Sequence, residues 1–254
     1  MADNKLKIDI RRGKIMEALR RDGKVQVSDL SRDLGVTLVT VRNDLDALEQ
    51  EGYLERIQGG AILKNQTAMP SWGGNCAEEK QVIAEAAAKW IEDGNTLFLN
   101  SGTTTRYVAA ALKKHKNINV VTNSLTAAME LGAIPSVHVL LLGGEINTQY
   151  AFTYGGDAQE QLRHYQADWA IMAVDGISSH AGVTSFHADE ATINRMMLER
   201  AKRVLIVADH TKIGRVGFAH LCDVGPSVKL ITGKECDKTA VAKLEEIGLE
   251  IIIV

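Results

Sequence analysis

From residue 78 onward the chain carries seven short apolar runs, most of them separated by stretches of helical periodicity. This alternation restricts the fold more than any other feature. The runs are 96–100, 118–122, 137–142, 169–174, 204–208, 228–232 and 249–254. Short, mainly apolar runs joined through helices predict a largely parallel sheet covered on both faces. The expected class is therefore α/β. The longest apolar run falls short of the ~18 residues that read as a membrane span. The N-terminal sequence MADNKLKIDIRRGK has the charge of a signal peptide without an apolar segment behind it, so a cytoplasmic protein with no membrane partner is expected. Cys76, Cys222 and Cys236 show neither a CxxC nor a zinc spacing and read as free thiols in a reducing compartment, with no metal expected.

The first 64 residues follow a different pattern: three helices and a hairpin. Ile8, Ile15 and Leu19 mark one face of a first helix, which Gly23 ends. Val25 to Val27 reads as a short strand, and Ser28 is placed to cap a second helix reaching Leu34. Gly35 turns the chain, Thr37 caps a third helix running to Gln50, and Gly52 suits the left-handed position after it. Residues 53–57, a Gly59-Gly60 turn and residues 61–63 complete a β-hairpin. Residues 65–77 (NQTAMPSWGGNCA) lack periodicity and read as a linker. The expected domains are thus 1–64, a winged helix-turn-helix; 65–77, a linker; and 78–254, the α/β unit.

On a wheel of about 100° per residue, Val41, Leu45 and Leu48 of the third helix share one sector and face inward. Asn43 lies opposite, with Val39 and Asp46 beside it and Thr40 and Arg42 on the flanks. Thr, Arg and Asn are residue types that reach phosphates and base edges in the major groove. Arg56 and Lys64, on either side of the hairpin turn, are placed to grip the flanking backbone, and Gly59 and Gly60 allow that turn a close approach. Composition does not announce DNA binding. Residues 1–64 hold 12 Lys+Arg against 11 Asp+Glu, and the remainder 17 against 21, so the net charge of −3 divides as +1 and −4. Contact must come from local placement of charge. Asp44 and Asp46 count against it, because carboxylates repel phosphates.

In the second unit, Ser101, Gly102, Thr103, Thr104 and Thr105 follow an apolar run and open a helix. A glycine turn there presents backbone N–H groups and the positive dipole end to an anion. Thr122, Asn123 and Ser124 form a second such turn, and Gly143 and Gly144 a third. Asp175 and Gly176 close the fourth run, Lys212 follows the fifth, and Glu190, at the start of a helix, is placed either to reach the pocket or to compensate the helix dipole. Neither a GxGxxG fingerprint nor a Gly-Lys-Ser/Thr loop occurs, which favours a small phosphorylated metabolite over a nucleotide cofactor.

The segment VQVSDLSRDLGVTLVTVRNDLDALEQEGYLERIQGGA resembles the N-terminal domain of the DeoR family of bacterial regulators. It keeps Thr40, Arg42, Asp44, Leu45, Arg56, Gly59, Gly60 and Ala61 of that family's pattern, and departs at Thr37, Asn43 and Gln58. Glu78-x-Lys80, SGTTT, TNSL, LLGG, VDG and DHTKIG occur in the order of the family's sensor domain, which is similar to the ribose-5-phosphate isomerase fold. Asn100 stands where the family usually has Asp, removing a charge beside the presumed phosphate. The resemblance implies a transcriptional repressor of a carbohydrate-utilisation operon, not an enzyme, binding double-stranded operator DNA as a dimer or tetramer under control of a phosphorylated sugar. Its DNA-contact set is Ser28, Thr37, Thr40, Arg42, Asn43, Arg56, Gly59 and Gly60. The competing expectations are an isomerase- or deaminase-like enzyme using Asp175 or Glu190 as general base, with His187 or His210 assisting, and an interaction module without a ligand.

Overall fold

A computed structural model describes residues 2–50, 53–63 and 76–254. The expectations for Gly52, Lys64 and linker residues 65–75 lie outside the described residues. The chain divides into two compact units, Met1–Asn75 and Cys76–Val254. The second unit's first helix starts at Ala77, inside the stretch read as linker.

The first unit runs α1 (Ala2–Asp22), β1 (Lys24–Gln26), α2 (Val27–Leu34), α3 (Leu38–Gln50), β2 (Leu54–Ile57) and β3 (Gly60–Leu63). Ile15, Leu19, Val27, Leu30, Val41, Leu45, Leu48 and Leu54 form its core. Gly35 ends α2 in the left-handed conformation, as a glycine at that position should. Two local expectations need correction. Gln26 stands at the N-cap of α2 without a side-chain cap, so Ser28 is the helix's second residue and is exposed. The hairpin turn is Gln58-Gly59, because Gly60 already pairs with Ile57 in register. Gly60 also pairs with Gln26 on the other side, which puts β3 at the centre of an antiparallel β1-β3-β2 sheet. A Cβ at Gly60 would lie 2.0 Å from the Val25 carbonyl oxygen, so glycine is required there for strand approach rather than for turning.

The second unit contains α4 (Ala77–Ala88), β4 (Thr96–Leu99), α5 (Thr103–Leu112), β5 (Ile118–Thr122), α6 (Leu125–Gly132) and β6 (Val137–Leu141). Next come β7 (Glu145–Asn147), β8 (Phe152–Tyr154), α7 (Gly156–Leu162), β9 (Ala167–Ala173), β10 (Gly176–Ser178), β11 (Gly182–Ser185) and α8 (Ala188–Glu199). The chain closes with β12 (Ala201–Val207), a 3₁₀ turn at His210–Lys212, β13 (Ala219–Cys222), β14 (Val228–Thr232), α9 (Lys238–Glu246) and β15 (Glu250–Ile253). All seven apolar runs become strands of one parallel sheet in the order β15-β14-β12-β9-β4-β5-β6. Alternate residues serve opposite faces. Leu97, Leu99, Trp169 and Ile171 pack under α4, α5 and α6. Phe98, Ala170, Met172 and Ile206 pack under α7, α8 and α9. Burial on both faces is why these strands read as continuous apolar runs. Two antiparallel additions had no counterpart in the sequence reading: the β7-β8 hairpin and a β10-β11-β13 sheet.

The strand order determines where a ligand site belongs. From β4 the chain proceeds outward through β5 and β6, then returns to place β9 on the other side of β4. The two connections leave β4 and β9 in opposite directions, opening a crevice beyond their carboxyl ends. Among the described residues, no helix is long and apolar enough to cross a membrane.

Candidate functional site

In the first unit, Thr37 caps α3 by accepting the Thr40 N–H at 3.2 Å, and the two hydroxyls lie 2.9 Å apart. Val41, Leu45 and Leu48 are fully buried, while Arg42 and Asn43 are exposed and Thr40 half-buried. The two acids that seemed to oppose DNA binding are neutralised. Asp44 points inward and is buried, accepting from Arg11 Nε at 2.5 Å and Arg12 Nε at 3.2 Å. Asp46 pairs with Arg56. Arg56 also donates to the Gly60 carbonyl at 3.1 Å and to the Arg42 carbonyl at 3.4 Å. Rather than extending outward, Arg56 ties the hairpin to α3. Gly59 sits exposed at the turn with φ of 79°.

In the second unit, the loop after β4 lies at the crevice. Gly102 is the N-cap of α5 with φ of 150° and supplies no side-chain cap, and a Cβ there would stand 2.7 Å from that of Ala173. Arg106 N–H bonds the Gly102 carbonyl at 3.0 Å. The backbone N–H groups of Thr103, Thr104 and Thr105 come before the first intrahelical donor, so they point along the helix axis toward the crevice. The three threonine side chains differ. Thr103 is exposed, Thr104 is buried, and the buried Thr105 hydroxyl donates back to Gly102 O at 3.1 Å.

Asn100 does not face this loop's anion position. Its Nδ2 donates to the Ala173 carbonyl and its Oδ1 accepts the Ala173 N–H, both at 2.9 Å. The amide joins the ends of β4 and β9 beyond their ladder. The reading of a charge removed beside the phosphate is replaced by a splice between strands.

The other loops divide similarly. Thr122 Oγ1 donates to Leu99 O at 2.6 Å, and Ser124 caps α6 by accepting from Ala127 N at 3.2 Å, so both hydroxyls serve the turn. Asn123 is fully buried and donates to Glu190 Oε1 at 2.7 Å, leaving its own Oδ1 without a partner. The same Glu190 oxygen accepts the Ser101 N–H at 3.3 Å. Burial pushes the Glu190 carboxyl up to about 7, against the opposing pull of those hydrogen bonds. The Gly143-Gly144 turn leads into the β7-β8 hairpin, not into a helix, and Gln161 already accepts the Gly143 N–H at 2.9 Å. Asp175 accepts from Ser185 Oγ at 3.1 Å and Phe186 N at 2.8 Å, which anchors one carboxylate oxygen. Gly176 is close-packed, a Cβ there meeting the Arg215 carbonyl at 2.6 Å.

Beyond β12, Lys212 ends the 3₁₀ turn next to Asp209. Burial alone would raise the Asp209 carboxyl, but the charges of Lys212 and Lys80 outweigh it and hold it below the usual range. Cys76, Asp209 and His210 bring three donor atoms within 4.8 Å of one another. The Lys80 ammonium lies 3.3 Å from Asp209, putting positive charge where a cation would sit, and Glu79 accepts from His210 at 2.7 Å if Nδ1 carries the proton. The arrangement therefore reads as an ion-pair network. The sequence reading missed three features: the Ser101–Glu190–Asn123 link, the Glu79–His210 pair, and His187 against Tyr150 with ring centroids 4.1 Å apart. Glu79 had a signal, since it lies inside Glu78-x-Lys80.

A winged helix-turn-helix and a parallel α/β unit in one chain are the architecture of a DNA-binding regulator. Residues 11–67 match the DeoR-like helix-turn-helix domain, and residues 75–234 the DeoR C-terminal sensor domain. The chain belongs to the DeoR family. It is 31% identical to the HTH-type transcriptional regulator GolR of Listeria innocua, covering 96% of this chain and 97% of that protein. Against the HTH-type transcriptional repressor GlcR of Bacillus subtilis the identity is 31%, over 94% and 93%. Against the glycerol-3-phosphate regulon repressor of Escherichia coli it is 32%, over 82% and 83%. These relatives are regulators rather than enzymes. Among solved structures, ribose 5-phosphate isomerase A of Methanocaldococcus jannaschii aligns at a TM-score of 0.41 and 15% identity, covering 54% of this chain and 55% of that one. The full-length sorbitol operon regulator SorC of Klebsiella pneumoniae aligns at 0.38 and 11%, covering 93% and 98%. Both scores are below 0.5, and the family assignment stands on the sequence matches.

Proposed function

We propose that the protein is a cytoplasmic repressor of a carbohydrate-utilisation operon, released from its operator by a phosphorylated sugar or a related metabolite. The observation that carries this reading is the α5 N-terminus, which lacks a side-chain cap at Gly102 and opens at the β4–β9 switch point. Its first N–H groups and the helix dipole suit a phosphate, while the Ser101 and Thr103 hydroxyls offer neutral donors. Asp175 and Lys212, at neighbouring strand ends, supply a hydroxyl acceptor and a positive charge for the rest of the metabolite. Burial raises the Glu190 carboxyl to about 7, so near neutrality it carries less negative charge toward the incoming anion than an ordinary glutamate. The relatives' names as repressors, one of a glycerol-3-phosphate regulon, support the same direction of control. Helix-turn-helix proteins bind paired half-sites as dimers, so a dimer or tetramer is the working state.

The test is a thermal-shift screen of phosphorylated metabolites, followed by operator binding with and without each stabilising compound. A native-state ligand raises the melting temperature with concentration and shifts DNA affinity. Thr103→Ala should weaken the metabolite response and leave DNA binding unchanged. A normal induction curve for that variant would remove the phosphate assignment, and turnover of a sugar phosphate at an enzymatic rate would overturn the regulator reading.

A further inference from the structure

Helix α3 opens with two apolar side chains in solvent, Leu38 at 45% exposure and Val39 at 61%. Neither belongs to the core of the first unit, which takes Val41, Leu45 and Leu48 from this helix. Val39 lies about 160° around the helix from Val41 and forms an outward row with Asn43, one turn later. A β-branched residue at an exposed helical position gains nothing for folding, because it is a weaker helix former than alanine. Single exposed apolar residues are ordinary. Two in succession, set among Thr37, Thr40, Arg42 and Asn43, suit a partner that offers both polar edges and an apolar group. The floor of the major groove offers one, the C5-methyl of thymine.

We infer that Val39, assisted by Leu38, reads a thymine methyl, and that Asn43 reads adenine one helical turn further on. Asn matches the adenine N6/N7 edge, so two exposed side chains one turn apart on α3 both select A·T pairs. Beside them the Asp46 carboxylate is paired with Arg56. This inference rests on the DNA-reading role of α3 described above.

The full chain is used to select duplexes from a random library, and each thymine of the selected site is then replaced singly by deoxyuridine, which removes only the methyl. At one or two positions per half-site the replacement should weaken binding about fourfold, the effect of losing one buried methyl. Val39→Ser should lose a similar factor on the thymine duplex and nothing further on the deoxyuridine duplex at that position. Equal binding of all deoxyuridine duplexes, or losses that multiply independently, would overturn the inference. So would a change in sedimentation of Val39→Ser without DNA, since Val39 would then be covered by a second copy of the chain. Arg42→Ala separates this from the underlying reading. If Arg42→Ala binds normally, α3 is not the reader, whereas its loss together with indifference to deoxyuridine removes only the methyl contact.

Discussion

Asn100 and Ala173 are joined by two hydrogen bonds of 2.9 Å, one in each direction between the side-chain amide and the backbone. The pair closes the upper end of the β4–β9 seam, where the parallel ladder has already ended at Leu99 and Ile171. It therefore positions the Ser101–Gly102 turn, which begins at the next residue. Asn100→Ala strips partners from a backbone N–H and a carbonyl in a buried place, at a cost of about 2–3 kcal/mol. The expected outcome is a fall in melting temperature of about 4–10 °C. A variant that melts with the wild type would show that water replaces the amide and that the seam does not need it.

Glu190 makes stability depend on pH with a defined sign. Its carboxyl titrates at about 7 when buried, against an ordinary value of 4.5 in the unfolded chain. Between those values the native state holds a proton that the unfolded state has released, so stability falls as pH rises. The contribution is complete below pH 4.5 and is lost as pH passes through 7. Glu190→Gln keeps an oxygen for Asn123 and Ser101 and cannot ionise. The melting temperature of the variant relative to wild type should climb from pH 5 to about 7 and level off above. A constant offset across that range would mean that Glu190 does not titrate there.

The parallel sheet was legible because burial on both faces leaves an apolar run no polar alternation to hide behind, as in Trp169 to Met172. The small antiparallel sheet was not, since Gly176–Ser178 and Gly182–Ser185 are short, rich in Gly and Ser, and gain their partners only through tertiary placement. The site divides along the same line. The helix start at Gly102 is a local signal and could be read directly. The Glu190 contacts with Asn123 and Ser101 span 67 and 89 residues, and no spacing rule reaches that far. Asp44 was misjudged for a related reason: its counter-charges, Arg11 and Arg12, come from another helix.

The orientation of Asp44 leads to a prediction that a groove-facing acid would contradict. Asp44→Ala removes the counter-charge of Arg11 and Arg12, both still partly solvated, so the cost is about 2 kcal/mol, below that of a fully buried pair. DNA affinity measured at 10 °C should match the wild type, and at 37 °C it should fall as the first unit unfolds. A rise in affinity at 10 °C would instead mean that the carboxylate faces the phosphates.

The two hairpin glycines are expected to behave differently although they are adjacent. Gly59 has φ of 79° and only a Gln26 side-chain oxygen, 3.2 Å away, near the position of a Cβ. Alanine there incurs mainly the left-handed penalty of about 1–2 kcal/mol. Gly60 lies in the central strand with the Val25 carbonyl 2.0 Å from a Cβ position, and the obstacle is backbone that cannot rotate away. Gly60→Ala must push β1 off β3, breaking the pairing of Val25 and Gln26, at about 3 kcal/mol. In urea unfolding the midpoint of Gly60→Ala should therefore drop clearly further than that of Gly59→Ala. Equal midpoints, or the reverse order, would show that Gly60 serves the turn rather than the three-stranded sheet.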